Sequence, residues 1–389
     1  MTISKGPQAF PRSEYLRRLA AVKSEMARRG VETLVVSFDR NMNYLAGYTA
    51  RTAYVPQGLV VSMRQDEPTI ILRLMDTYAA HYQTFLVREH VIGYPEALIG
   101  NAERDGYDAI IDFLQETGAA SAGLGLELAN LPPSAVDKFK ARLPNINIAD
   151  FSNVVTWIRT EKSDLEIAYM KEAAAITDAG IRRAAEVIRP GVWEADAAAE
   201  IVAALMRGTN GKHGTSVANF WMNTSPRIGA SHFTWSEDVF REGSQINLEI
   251  AGVRHNYTVP ISRTFSIGKP SERLRRVHEA QVNALDAALS VVSPGRTCHE
   301  VAEVIYGTLA KHGVEKESRC GYAIGIDWLE STASIRTGDM TQLKPNMTFH
   351  LHLGNWLDED FGVMVSESIR VTESGVEVLT GTPRQLFEL

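Results

Sequence analysis

The sequence predicts an α+β protein of two domains. Residues 1–157 read as an α/β domain, and residues 158–389 as two helix pairs laid over one curved antiparallel sheet. Three observations carry this. Helical and strand patterns alternate through the first part. A long helical run follows the segment Ile158–Lys162 (IRTEK). The phrase VIRPGVWEADAAAEI at 187–201 then returns as VVSPGRTCHEVAEVI at 291–305, an offset of 104 residues. Solenoids repeat at shorter periods, so this spacing marks a duplicated helix–strand unit.

Each element has a local cause. Tyr15, Leu19, Val22 and Met26 share one helical face, and Gly30 stops that helix. Thr33–Phe38 (TLVVSF) follows as a short buried strand, with further strands at Gly58–Ser62 and Thr69–Leu72. A helix over Tyr107–Thr117 ends at Gly118, and Pro132-Pro133 suits the first turn of another. In the second domain, helical patterns cover Asp164–Ile188 and Glu194–Arg207, broken by Pro190-Gly191. Strands are expected at Val217–Met222, Ser244–Ala251, Thr258–Ser266, Thr348–Leu353 and Val363–Thr372.

Composition narrows the function classes. The chain has 40 Lys plus Arg against 47 Asp plus Glu, a formal net charge of -7, so it lacks the basic surplus of a protein that neutralises nucleic-acid phosphates. No apolar run approaches the roughly 18–20 residues of a membrane span. The N-terminal stretch MTISKGPQAFPRSEY has no apolar signal-peptide core. Cys298 and Cys320 are the only two cysteines, which excludes a disulfide framework and makes the cytoplasm the expected setting.

The segments YMKEAAAITDAGIRRAAEVIRPGVWEADAA (169–198), TSPRIGASHF (224–233), INLEIAGVRHNYTVPISRTFSIG (246–268), LKPNMTFHLHLG (343–354) and GVMVSESIRVTESGVEVLT (362–380) resemble the creatinase and aminopeptidase P family. The resemblance covers nearly the whole chain. It implies a pita-bread catalytic domain behind a creatinase-type N-terminal domain. Peptidases of that family hold two metal ions with two aspartates, a histidine and two glutamates. Here those positions are Glu249, Pro260, Tyr322, His352 and Ser366. Proline has no donor atom and a serine hydroxyl is a poor ligand, so a metal-free site with no cofactor is expected. Within the family, KESRCGYAIG (316–325), PNMTFHLHLGNW (345–356), VSESIRVTESG (365–375), SHFTW (231–235) and PRQLFEL (383–389) are most similar to ectoine hydrolases. The stretch Gly325-Ile326-Asp327-Trp328 runs directly to Glu330-Ser331-Thr332 and is shorter than in that group.

The substrates implied are planar amidinium or guanidinium cations that carry a carboxylate. Such a site needs a carboxylate on the cation, aromatic faces, a base for the substrate acid and a proton shuttle. Glu249, mid-strand in INLEIAG, is the expected catalytic carboxylate, attacking the amidine carbon or steering water. His232 in SHFTW matches the family histidine at the scissile group. Tyr54, Trp235, His255, Arg263, Tyr322, His350, His352, Trp356 and Glu367 complete the substrate-binding candidates. Arg263 is a candidate for the substrate acid, with a structural role as the alternative, and Glu367 enters only if its strand bulges. His350 and His352 share a strand face, which leaves open a metal site completed by Glu249 and His232. The family also implies a homodimer, with Tyr54 in the N-terminal domain covering the partner's pocket. Four readings follow: a cyclic-amidine hydrolase of the ectoine type, a hydrolase of another guanidino or amidino acid, an inactive binding module, and a metal-dependent Xaa-Pro peptidase.

Overall fold

A computed structural model describes residues 3–50, 52, 54–119 and 122–389. The chain forms two compact units, 1–159 and 160–389.

In the first unit six strands order as Val91–Tyr94, Thr69–Arg73, Gly58–Ser62, Thr33–Val36, Leu124–Leu126 and Ile148–Asp150. Helices Gly106–Glu116 and Pro133–Arg142 place Ile110, Ile111, Leu114 and Phe139 against Val35, Val60 and Leu124 of that sheet. The predicted strands at 33–38, 58–62 and 69–72 are present, the first ending at Val36, where the chain turns into helix Asp39–Ala46. The short strands at 91–94, 124–126 and 148–150 were not foreseen, because three or four residues carry no periodicity.

The second unit contains the duplicated half. Helices Asp164–Val187 and Glu194–Arg207 answer to Glu272–Val291 and Cys298–Lys311. Two of them start on reciprocal caps, Ser163 with Glu166 and Thr297 with Glu300. Each pair covers a long hairpin: Gln245–Arg254 with Tyr257–Ser266, and Thr348–Asp358 with Phe361–Val371. The single curved sheet expected from the sequence is resolved into two. One has four strands and the other five, and their ladders are separate.

Strands Tyr257–Ser266 and Phe361–Val371 meet along a seam made by side chains. Gln245 Nε2 and Asn247 Nδ2 donate to Gly362 O, Thr264 Oγ1 to Met364 O, and Ser368 Oγ to Pro260 O. Ser262 N donates to Ser366 Oγ at 2.6 Å. A strand residue's N–H and C=O point the same way, and the Pro260 carbonyl points into the seam. Proline therefore costs this sheet no ladder bond. The expected strand Val217–Met222 begins only at Trp221, opposite Glu249. Phe220 packs under Trp235, and Asn219 faces the cavity described next.

Candidate active site

Glu249 sits mid-hairpin, with Trp221 directly opposite on one side and Ser262 on the other. Residues opposite one another in a ladder share a sheet face, so these three side chains form a row. In the five-stranded sheet, His350 lies opposite Tyr322 and Ser368, and His352 opposite Ser366. The two rows face each other. Glu249 Oε1 lies 3.9 Å from His350 Nδ1 and 3.8 Å from His352 Nε2. A cavity of about 310 Å³ opens beside them, with Glu249, His232, Tyr322, Trp221, Trp328 and Arg319 among its walls.

One tautomer of His350 satisfies every hydrogen-bonding partner around it. Ser366 Oγ accepts from Ser262 N, and His350 Nε2, at 2.6 Å, is the one acceptor for its own hydrogen among the described residues. His350 then carries its proton on Nδ1 and donates to Tyr322 Oη at 3.0 Å. Trp328 Nε1 donates to the same oxygen at 2.9 Å. With two bonds accepted, the Tyr322 hydroxyl is left with its own hydrogen to offer a ligand. Trp328 is held by a tight turn in which Gly325 N donates to Asp327 O and Asp327 N to Glu330 Oε1.

Burial sets the charges. Glu249 is 6 % exposed, and desolvation pushes its carboxyl up to about 8, only partly opposed by Ser262. Burial holds His350 well below its ordinary value. It lowers His352 to about 3, assisted by the nearby Lys316 ammonium. Both imidazoles are neutral at pH 7. His352 Nε2 is a buried nitrogen without a hydrogen-bond partner, aimed at Glu249. His232 lines the cavity edge-on to Trp221, its backbone in the left-handed region at φ 61°.

Glu249, His232, Tyr322, His350 and His352 are thus brought together. Other candidates lie elsewhere. Arg263 is fully buried and donates to Pro383 O, Ser262 O, Ser366 O, Thr382 O and Glu367 Oε1, leaving nothing for a substrate acid. Glu367 stays in regular register and, being next to Ser366, faces the other side. Its Oε1 pairs with Arg263 at 2.9 Å and its Oε2 accepts from Thr380. Both assignments to substrate binding are therefore corrected. His255 is at the hairpin tip, φ 47°, against Tyr169, six residues beyond Glu249, or roughly 20 Å of strand. Trp235 packs on Phe220 outside the cavity. Trp356 stacks behind His352, which requires Gly354, where any Cβ would meet the indole. Tyr54 belongs to the first unit, 72 % exposed, and accepts a hydrogen bond from Arg73. Arg319, Asp327 and Asn219 were missed. The signal for the first two lay in the segments 316–325 and 325–332, already singled out, but nothing in the residue pattern pointed to them individually.

A row of polar side chains at the junction of two duplicated hairpins defines a hydrolase-type site on a pita-bread fold. The comparisons place it. The metallopeptidase family M24 model matches residues 168–373, and the creatinase/prolidase N-terminal domain matches 18–160. The chain belongs to metallopeptidase family M24. It is 59% identical over 99% of both chains to an uncharacterized hydrolase/peptidase, y4tL, of Sinorhizobium fredii. It is 34% identical to the ectoine hydrolase of Halomonas elongata, over 97% of this chain and 98% of that one. The X-Pro aminopeptidase of Thermotoga maritima superposes with a TM-score of 0.83 at 20% identity, over 95% of this chain and 99% of the other, which establishes the fold.

The family name implies a metal centre, and the donor set here does not fit one. Pro260 offers no ligand atom, and Ser366 Oγ is held between Ser262 N and His350. Both His350 nitrogens are engaged, so the histidine pair does not supply a substitute site. Among the described residues no group of three His, Cys, Asp or Glu is arranged to hold an ion.

Proposed function

We propose that this protein is a metal-independent hydrolase that opens a small cyclic amidine bearing a carboxylate, with ectoine as the leading substrate. The observation that carries the reading is Glu249, a buried carboxyl with no cationic partner among the described residues, on the wall of a small aromatic cavity. The 34% identity to an ectoine hydrolase along nearly the whole chain supports it. A cavity of about 310 Å³ is at the small end of ligand sites and suits a single ring.

In this reading Glu249 ionises as the planar cation enters, and the paired charges hold the amidine carbon in place. Glu249 either attacks that carbon or directs water to it. In the water route, His232 takes a proton from the attacking water as the C–O bond forms. It then returns the proton to the ring nitrogen as the C–N bond breaks, leaving an acetamide and a free amine. The Tyr322 hydroxyl offers its hydrogen to the polar group developing at the reacting carbon. Trp221 and Trp328 supply flat faces for the delocalised cation.

The Gly325–Glu330 turn contributes Asp327, Trp328 and Leu329 to the cavity, so its length selects among amidino and guanidino acids. We further propose a cytoplasmic homodimer in which Tyr54 covers the partner's pocket. Velocity sedimentation showing an active monomer would count against that arrangement. The decisive test incubates metal-stripped protein with ectoine, hydroxyectoine, creatine and an Xaa-Pro dipeptide, following products by mass spectrometry. Ring opening unaffected by EDTA is expected. Peptide cleavage restored only by added manganese or cobalt would overturn the proposal.

A further inference from the structure

The cavity has a second pole. Arg319 stands on its wall, with the guanidinium 4.7 Å from the centre of the Tyr322 ring. That stacking aims the planar fork and leaves most of its donors unused. The single hydrogen bond found is Nη1 to Ser334 Oγ, at 3.4 Å. No carboxylate lies within ion-pairing distance of Arg319 among the described residues. It feels the positive charge of Arg336, likewise without a carboxylate within ion-pairing distance among the described residues, and the two line one depression, whose walls also carry Glu303, Glu315 and Glu317. Most other arginines of this chain have an acid beside them, as Arg227 has Glu194 and Arg254 has Glu172. A guanidinium with no ion pair, stacked on the wall of a small cavity, keeps its planar fork available for a carboxylate. Tyr322 lies between the poles, its hydroxyl influenced by the Glu249 carboxyl when that is ionised and by the Arg319 guanidinium.

We propose that Arg319 is the substrate-carboxylate anchor: the cavity takes a zwitterion whose planar cation meets Glu249 and whose acid lies across the Arg319 fork, with Arg336 reinforcing the field. This deepens the reading above and rests on it for the cation. It replaces Arg263, whose donors are all occupied inside the protein. Because the carboxylate takes no part in bond making, losing Arg319 weakens ground state and transition state alike, and the effect falls on KM.

The test compares Arg319→Met, Arg319→Lys and wild-type enzyme by steady-state kinetics on ectoine, with calorimetric titration of ectoine and of 2-methyl-1,4,5,6-tetrahydropyrimidine, the same ring without its acid. Arg319→Met should raise KM for ectoine about 10–100-fold with kcat within about threefold. Arg319→Lys should recover part of the loss, and the acid-free ring should bind all three proteins alike. Unchanged KM in a folded Arg319→Met protein would overturn the proposal, as would equal weakening of both ligands. If wild-type enzyme neither binds nor opens ectoine, the functional reading fails separately. Pipecolate then decides for Arg319. Binding to wild type that Arg319→Met loses supports the anchor, and binding absent or equal in both removes it.

Discussion

Two buried glutamates, on corresponding hairpins of the duplicated half, have opposite surroundings. Glu367 is 1 % exposed and fully partnered, with Arg263 on one oxygen and Thr380 on the other. Glu249 is 6 % exposed and faces two neutral imidazoles, a serine and open space. Burial raises the carboxyl pKa of both, and only Glu367 has a guanidinium against it. A buried acid whose partners are all within the fold holds the structure together. A buried acid whose partner is missing is kept for a ligand.

The sharpest way to break this contrast is to neutralise each acid. Glu249→Gln should lower turnover per folded molecule by at least about 100-fold while leaving the melting temperature near or above wild type. Glu367→Gln should do the reverse. It leaves Arg263 buried and uncompensated, a loss of about 3–5 kcal/mol, with turnover of the surviving folded protein little changed. Turnover measured beside thermal melting separates the outcomes. A stable, active Glu249→Gln protein would refute the catalytic assignment.

The smaller Tyr322→Phe change probes the cavity side of the contrast. It removes the oxygen that receives His350 Nδ1 and Trp328 Nε1, leaving two buried donors unpaired and the ligand without its hydroxyl. Turnover should fall about 10–100-fold, with kcat bearing more of the loss than KM. An effect confined to KM would move Tyr322 from the reacting centre to the binding surface.

Proton linkage sharpens the comparison further. With its carboxyl near 8, Glu249 is mostly protonated in the free protein at pH 7 and ionises when a cation enters. Ectoine binding should therefore release close to one proton, read as a buffer-dependent enthalpy in calorimetry, and kcat/KM should climb with pH toward a plateau above about 8. Glu249→Gln should abolish the release. The stability sign is opposite to that of a salt-bridged acid. The folded carboxyl binds its proton more tightly than the unfolded one, so stability falls as pH rises from about 4.5 to 8. His352, lowered to about 3, works the other way, and its contribution is lost as pH falls from about 6.5 toward 3.

Most of the fold was legible because long periodic helices and hairpins of ten- and eleven-residue strands leave strong patterns, and the repeat at 187 and 291 exposed the duplication. The site was legible where one strand carried it. Alternation alone put His350 and His352 on one face, and correctly turned Glu367 away from Ser366. The seam was not legible. It depends on which edge of Tyr257–Ser266 faces which edge of Phe361–Val371, a pairing of side chains with carbonyls that follows no period. Arg263 was misread for this reason, since its five acceptors come from three separate segments. Arg319 was overlooked because stacking on Tyr322 and the lack of an acid are facts of three dimensions.

The smallest expected effect is at His255, and it tests where the site ends. His255 occupies the hairpin tip with Asn256, both at positive φ (47° and 68°), and its ring rests on Tyr169, 4.5 Å between centres. Its backbone N–H donates to Thr215 Oγ1 at 2.8 Å, a bond any replacement except proline retains. Asparagine tolerates the left-handed region well, so His255→Asn keeps the turn and loses only the ring contact. The contact is partly exposed, and stability should shift by no more than about 0.5–1 kcal/mol. Turnover and KM should stay within about twofold, since six residues of strand separate this position from Glu249. A tenfold fall in kcat/KM, with melting unchanged, would mean that the hairpin tip takes part in catalysis and that the cavity beside Glu249 is only part of the site.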